Sequence, residues 1–215
     1  MKYYMLFIVM QFFSVLLMAQ QYPEPEFGNE VYWLKKDNGY KVSRLEKTSS
    51  KLESKVKLGG MGGSESHYIF DGEKSPVRIE NYKNLCFVFS NGTASSKSSS
   101  TADSMMRASG IDLSAMGNMM GGINDPSKNI VLYKAEKANG KRKILLQKNP
   151  GMSILPFGNK KQKTGDKYTF GVKKIREGYW ELVVDKSLPI GEYAFAMVGT
   201  GSSDGGIDLF AFAVD

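Results

Sequence analysis

The residues from Tyr179 to Asp215 constrain what this chain can fold into more than any other stretch. They run Tyr-Trp-Glu-Leu-Val-Val-Asp, Leu188-Pro189-Ile190-Gly191-Glu192-Tyr193, Ala-Phe-Ala-Met-Val, a Gly/Ser turn, and Ile-Asp-Leu-Phe-Ala-Phe-Ala-Val-Asp. Strand side chains alternate between faces, so each of the three segments sorts into a large and a small set. Trp180, Leu182, Val184, Tyr193, Phe195, Met197, Phe210, Phe212 and Val214 form the large set. Ala194, Ala196, Ala211 and Ala213 form the small one, a face that something can approach closely. Glu192 shares the Ala side and is expected to point outward. No helical period fits these residues.

Leu188-x-x-Gly191-x-Tyr193 adds geometry to the pattern. It matches the tyrosine corner of Greek-key sandwiches, in which a Tyr near the start of the penultimate strand hydrogen-bonds upstream backbone. The expected acceptor lies near Asp185 to Leu188. Gly191 allows the chain to reverse, and Leu188 plugs the core below it. One strand precedes the corner and one hairpin strand follows it, as strands E, F and G would. The alternative is an ordinary Pro-Gly turn with a core Tyr.

Strands fill the rest of the pattern. Glu30 to Lys35, then Asp37-Asn38-Gly39 and Tyr40 to Glu46, predict a hairpin. Lys51 to Leu58 alternates up to the Gly59–Gly63 tip. His67 to Phe70, an Asp71-Gly72 turn, Val77 to Ile79 and Leu85 to Phe89 follow. Alternation resumes at Asn129 to Ala135, turns at Asn139-Gly140 and returns over Lys143 to Gln147. A short strand is expected at Ser153 to Leu155. Tyr168 to Ile175 pairs by pattern with Tyr179 to Val184. The fold class predicted is all-β: an immunoglobulin/fibronectin-like Greek-key sandwich over 81–215, preceded by a small β subdomain at 30–80.

Residues 1–20 read as a secretory signal peptide: Lys2, an apolar run from Leu6 to Met18, and the small Ala19. An N-terminal membrane anchor is the alternative, although the run is short beside the roughly 20 residues a span requires. Residues 21–29, with Pro23 and Pro25, form an extended leader. The destination is the periplasm or the cell surface, with no transmembrane span after cleavage. Cys86 is the only cysteine, so no internal disulfide staples the fold. It reads as a buried, inert thiol; a reactive or cross-linking one is the alternative.

Composition changes at 91–127. Ser95 to Thr101 is a Ser-rich run, and Met105, Met106, Met116, Met119 and Met120 follow before Gly121-Gly122. Few β-branched residues and many Ser and Gly exclude core strand, and the stretch is read as an insertion between two strands. A Met-rich face suits docking on a partner, here an envelope protein or an anionic envelope component. The same thioethers also suit Cu(I). A third reading has the methionines packing onto the sandwich.

Asp71-Gly72-x-x-Ser75, Asp125-Pro126 leading into a strand, Arg142, and the ending Gly191-Glu192-Tyr193-Ala194-Phe195 to Phe212-Ala213-Val214-Asp215 resemble uncharacterised secreted β proteins of Gram-negative bacteria. The resemblance implies export and a β fold, and it adds no chemistry.

Catalytic patterns are sparse. His67, the only histidine, sits in Ser64-Glu65-Ser66-His67, where neighbours on a strand face opposite sides and form no nucleophile elbow. Glu192, Asp204 and Asp208 are the carboxylates nearest the C-terminal hairpin and the candidates for a carboxylate-based hydrolase, such as a carbohydrate-active enzyme. The Asp/Gly turns lack EF-hand spacing. No CxxC, HExxH or phosphate loop occurs, so no cofactor or metal is called. Lys141-Arg142-Lys143, Lys160-Lys161-x-Lys163 and Lys173-Lys174-x-Arg176 read as solvated charges that guard strand edges. Nucleic acid is not expected as a partner. The function expected is a non-enzymatic binding or scaffold protein of the envelope.

Overall fold

The computed structural model describes residues 22–37, 39–57, 63–80, 84–91, 126–150, 162–198 and 205–215. The alternating segments become β1 (Glu30–Lys35), β2 (Lys41–Arg44), β3 (Glu46–Ser49), β4 (Lys51–Val56), β5 (Gly63–Asp71), β6 (Arg78–Ile79) and β7 (Cys86–Ser90). A single helical turn, α1 (Pro126–Asn129), leads into β8 (Ile130–Ala138) and β9 (Lys141–Pro150). There follow β10 (Lys163–Thr164), β11 (Lys167–Tyr168), β12 (Phe170–Arg176), β13 (Tyr179–Val184), β14 (Gly191–Met197) and β15 (Asp208–Val214). Among the described residues the fold is all-β with antiparallel sheets, apart from α1 and one parallel pairing of β6 with β15.

One sheet has the order β12-β13-β7-β1-β2. Its inner face packs against β8, β14 and β15 through Phe87, Phe89, Trp180, Leu182, Phe195 and Phe212. Phe87 lies 4.8 Å from Phe195 and 5.0 Å from Phe212, ring centroid to ring centroid. Each such burial contributes about 1.5–3 kcal/mol. The three C-terminal strands therefore do not share a sheet. β13 belongs to the five-stranded sheet and β14–β15 to the other, and their large faces meet across the core.

The second sheet follows β3-β15-β14-β8-β9-β5-β4. Its first and last strands are consecutive in the chain and separated only by Ser50, so the path comes round on itself. At that switch Ser50 serves both backbone groups of Ile207. Its N–H donates to Ile207 O at 3.0 Å, and Ile207 N–H donates to Ser50 Oγ at 3.1 Å. Inside the curl, Ala194, Ala196 and Ala211 meet Phe70, Tyr133 and Ile144. The small face of the C-terminal hairpin is thus covered by β5 and β9 of the same chain.

The boundary expected at residues 80/81 does not coincide with a break between sheets. β1 pairs with β7, β3 and β6 pair with β15, and β5 pairs with β9. Tyr168 to Ile175 also divides. β11 pairs with β8 in one sheet and β12 with β13 in the other, the chain crossing at Thr169. At the β8–β9 turn Asn139 and Gly140 both have positive φ, 51° and 76°, the conformation Asn-Gly favours in a two-residue hairpin. Residues 1–21, the Gly-rich tip at 58–62, 92–125, Ser153–Leu155 and Asp204 lie outside the described residues.

Candidate functional site

Two clusters of ionisable side chains are built into this frame. The first closes one end of the curled sheet around Arg142, whose side chain is 0% exposed. Its position on β9, opposite Phe70 of β5 and beside Ile144, turns it inward. The guanidinium donates to Glu46 Oε2 at 2.8 Å and Oε1 at 2.6 Å, and to the carbonyls of Gly72 at 2.9 Å and Asp71 at 3.1 Å. It also lies 4.6 Å from the Phe70 ring centroid and 3.6 Å from Glu192 Oε2. Glu192 Oε2 in turn accepts the Ser75 N–H at 2.9 Å, and Ser75 Oγ accepts the Val77 N–H at 3.2 Å.

Two expectations are corrected here. Arg142 is not a solvated member of a basic run, because the strand period sends it inward while Lys141 and Lys143 face out. Glu192 does not point outward; it is 4% exposed, because its Ala side is the interior of the curl. Asp71, Gly72, Ser75, Arg142 and Glu192, on which the sequence resemblance rests, meet in this one network. Its chemistry is that of a clamp: a planar fork satisfies one carboxylate twice and holds the β5–β6 connection by its carbonyls.

The second cluster lies on the outer face of the five-stranded sheet. Tyr32, Leu34, Cys86, Val88 and Tyr179 form an apolar patch there, joined by Tyr22, Tyr40, Val42, Ile175 and Val183. The leader crosses it. Tyr179 Oη donates to Pro23 O at 2.7 Å, the Phe27 N–H donates to Tyr32 Oη at 3.0 Å, and Arg176 pairs with Glu24. Glu181, on β13, is 2% exposed. Lys36 Nζ donates to its Oε1 at 2.5 Å and Tyr22 Oη to its Oε2 at 2.7 Å. Lys36 follows β1 and Glu181 lies on β13, so the ion pair straddles the strand between them, β7. Cys86, on the intervening β7, has its thiol donating to Asn84 O at 3.3 Å.

Burial works against the Glu181 charge, but the hydrogen bonds from Lys36 and Tyr22 prevail and hold it below the usual carboxylate range. Lys36 is likewise opposed by burial and raised on balance by Glu181. Burial pushes the Cys86 thiol up, with Lys36 offsetting only part of the rise. A cavity of about 340 Å³ opens beside the cluster, lined by Trp33, Leu34, Lys36, Asn84 and Cys86 among others. Asn84 borders it with a positive φ of 65°.

The corner residues are at the opposite end of β13. Leu188 is fully buried, and Tyr193 Oη donates to Pro189 O at 2.5 Å, one residue beyond the expected acceptors. Met105, Met106, Met116, Met119 and Met120 lie outside the described residues. The flanking residues are described. The Asn91 N–H donates to Gly178 O, and Asn129 O accepts the Val198 N–H. Both anchors sit at the same pole, where β7 and β14 end and β8 and β13 begin.

The remaining candidates are not brought together. Ser64 Oγ accepts from Asn149 and Ser66 Oγ bonds Ser54, so neither hydroxyl is directed to His67. Burial and then Lys143 lower the His67 pKa. Glu192 pairs with Ala213, five residues from Asp208 along β15. At ~3.4 Å per residue that is ~17 Å, beyond the ~5–10 Å a carboxylate pair needs for glycoside hydrolysis. Among the described residues, no group of three or more His, Cys, Asp or Glu is placed to hold a metal ion, and no helix is long and apolar enough to cross a membrane. The Lys36–Glu181 pair had no sequence signal, since residues 36 and 181 meet only through sheet order. No protein-family model, curated protein or solved structure matches the chain.

Proposed function

We propose that this chain is an exported, non-enzymatic binding or scaffold protein of the cell envelope. It contacts an envelope protein or an anionic envelope component through the Ser/Met-rich stretch at 91–127. The observation that carries this is the position of the described residues that flank the stretch. Its two described anchors emerge at one pole of a body whose buried carboxylates Glu30, Glu181 and Glu192 all hold internal partners. Such a body is a rigid support, and the thioethers that the sequence concentrates between Met105 and Met120 are suited to recognition. Within this reading the sandwich is immunoglobulin/fibronectin-like. The support is a corner that passes from β13 in one sheet to β14 in the other, closed by the Tyr193 hydroxyl.

The test deletes Ser95 to Gly122 from the exported protein. The expected outcome is an unfolding midpoint within ~2 °C of wild type, the scale of a change under ~1 kcal/mol for this length, together with loss of the crosslinks formed in envelope extracts. Crosslinks that survive the deletion, or a body that no longer unfolds cooperatively, overturn the proposal.

A further inference from the structure

We propose that β4 is a dimerisation edge, to which a second copy of this chain adds its own β4 antiparallel, with Ser54 opposite Ser54. β3 and β4 run on through Ser50, but only β3 pairs with β15, in a register that begins at Asp208 opposite Ser49. β4 pairs with β5 on one side, and among the described residues no strand pairs with it on the other. Hydrogen bonds at its two ends fix which groups face the open side. The Ser50 N–H donates to Ile207 O, away from β5, whereas the Lys57 N–H donates to Gly63 O, on β5. Backbone direction alternates from residue to residue in an antiparallel ladder, so Leu52, Ser54 and Val56 present their N–H and C=O groups outward.

The side chains select a second β4 as the partner. Leu52 and Val56 share one face and are 43% and 63% exposed, while Glu53 and Lys55 share the other. Pairing about Ser54 matches even positions with even, as the outward groups require. It sets Leu52 against Val56 of the second copy and Glu53 against its Lys55, and two-fold symmetry makes each contact twice. The smallest shift the outward groups allow sets Glu53 against Glu53 in one direction and Lys55 against Lys55 in the other, like charges directly opposite. Lys51 meets Lys57 only at the ends of the paired segment, where Lys57 already holds Glu65 at 3.4 Å. The edges of the five-stranded sheet lack this complementarity. β2 has four residues with Lys41 and Arg44 at its ends, and β12 carries Lys173, Lys174 and Arg176 where its register shifts. An edge as short as β4 makes a weak, reversible dimer.

The experiment is analytical ultracentrifugation of the folded protein from micromolar to millimolar concentration. Expected is a reversible monomer–dimer equilibrium. Glu53→Lys or Lys55→Glu alone sets like charges opposite at two symmetric places and should weaken dimerisation by about tenfold or more. Combining the two substitutions restores opposite charges across the pair, and the dissociation constant should return to within about threefold of wild type. Deleting Ser95 to Gly122 should leave the equilibrium unchanged, which separates this edge from the envelope contact proposed for 91–127. Wild-type protein that stays monomeric throughout overturns the proposal. So does a dimer indifferent to both single substitutions, a double variant as weak as the singles, or loss of the dimer with the deletion.

Discussion

Replacing Arg142 with Met retains most of the apolar length and removes every polar contact of the guanidinium. Glu46 loses both of its donors, the Gly72 and Asp71 carbonyls lose theirs, and Glu192 loses a cation at 3.6 Å. Removing one partner of a buried ion pair costs about 3–5 kcal/mol, since the other charge stays behind uncompensated. With a urea slope of about 2 kcal/mol per molar, the midpoint falls by about 1.5–2.5 M. Arg142→Lys should recover little, because one ammonium cannot reproduce a fork that serves two carboxylate oxygens and two carbonyls. Adding Glu46→Gln to Arg142→Met should return part of the loss by removing the stranded charge. The assay is equilibrium urea denaturation at neutral pH, followed by tryptophan fluorescence. A midpoint shift below about 0.5 M for Arg142→Met, at unchanged slope, refutes the clamp.

Two further outcomes follow from the same structure. Burial raises the hydroxyl pKa values of Tyr22, Tyr179 and Tyr193 above the ordinary 10, so their stabilisation is complete below pH 10 and is lost as pH rises beyond it; the share of the phenolate absorbance that Tyr→Phe replacement assigns to these three should appear only with unfolding, and ionisation of all three in the folded state would contradict it. Gly165→Ala should cost several kcal/mol and loosen the β10–β11 connection, because an added Cβ would lie 1.8 Å from Leu145 O; a melting temperature lowered by less than ~2 °C would show that the connection relaxes freely.

Much of the local structure was legible in the residues. Alternation located β1, β4, β7, β13, β14 and β15 within a residue or two, and Asn139-Gly140 marked its hairpin, because pleat and turn are short-range properties. The Tyr193 hydroxyl bond is also local, spanning four residues to Pro189 O, one residue beyond the acceptors expected from the sequence. The short α1 was missed, since one turn contributes no period. Glu192 and Arg142 were both assigned to the surface by charge, although their strand positions put them on the inward side of their neighbours. Charge type argues for exposure only when no opposite partner shares the interior.

The sequence alone determined that this chain folds as strands and which side chains share a face. It did not determine which strands become neighbours. β14 and β15 are apolar on both sides, and period two is blind to which side meets a second sheet and which meets a curl of its own. That choice was decided in three dimensions. The Ala face left room for β5 and β9, Ser50 let one strand leave β15 for β5, and the sheet order β13-β7-β1 set Lys36 beside Glu181. Lys36 and Glu181 form their ion pair only because distant strands pair, and pairing depends on the packing of both faces at once.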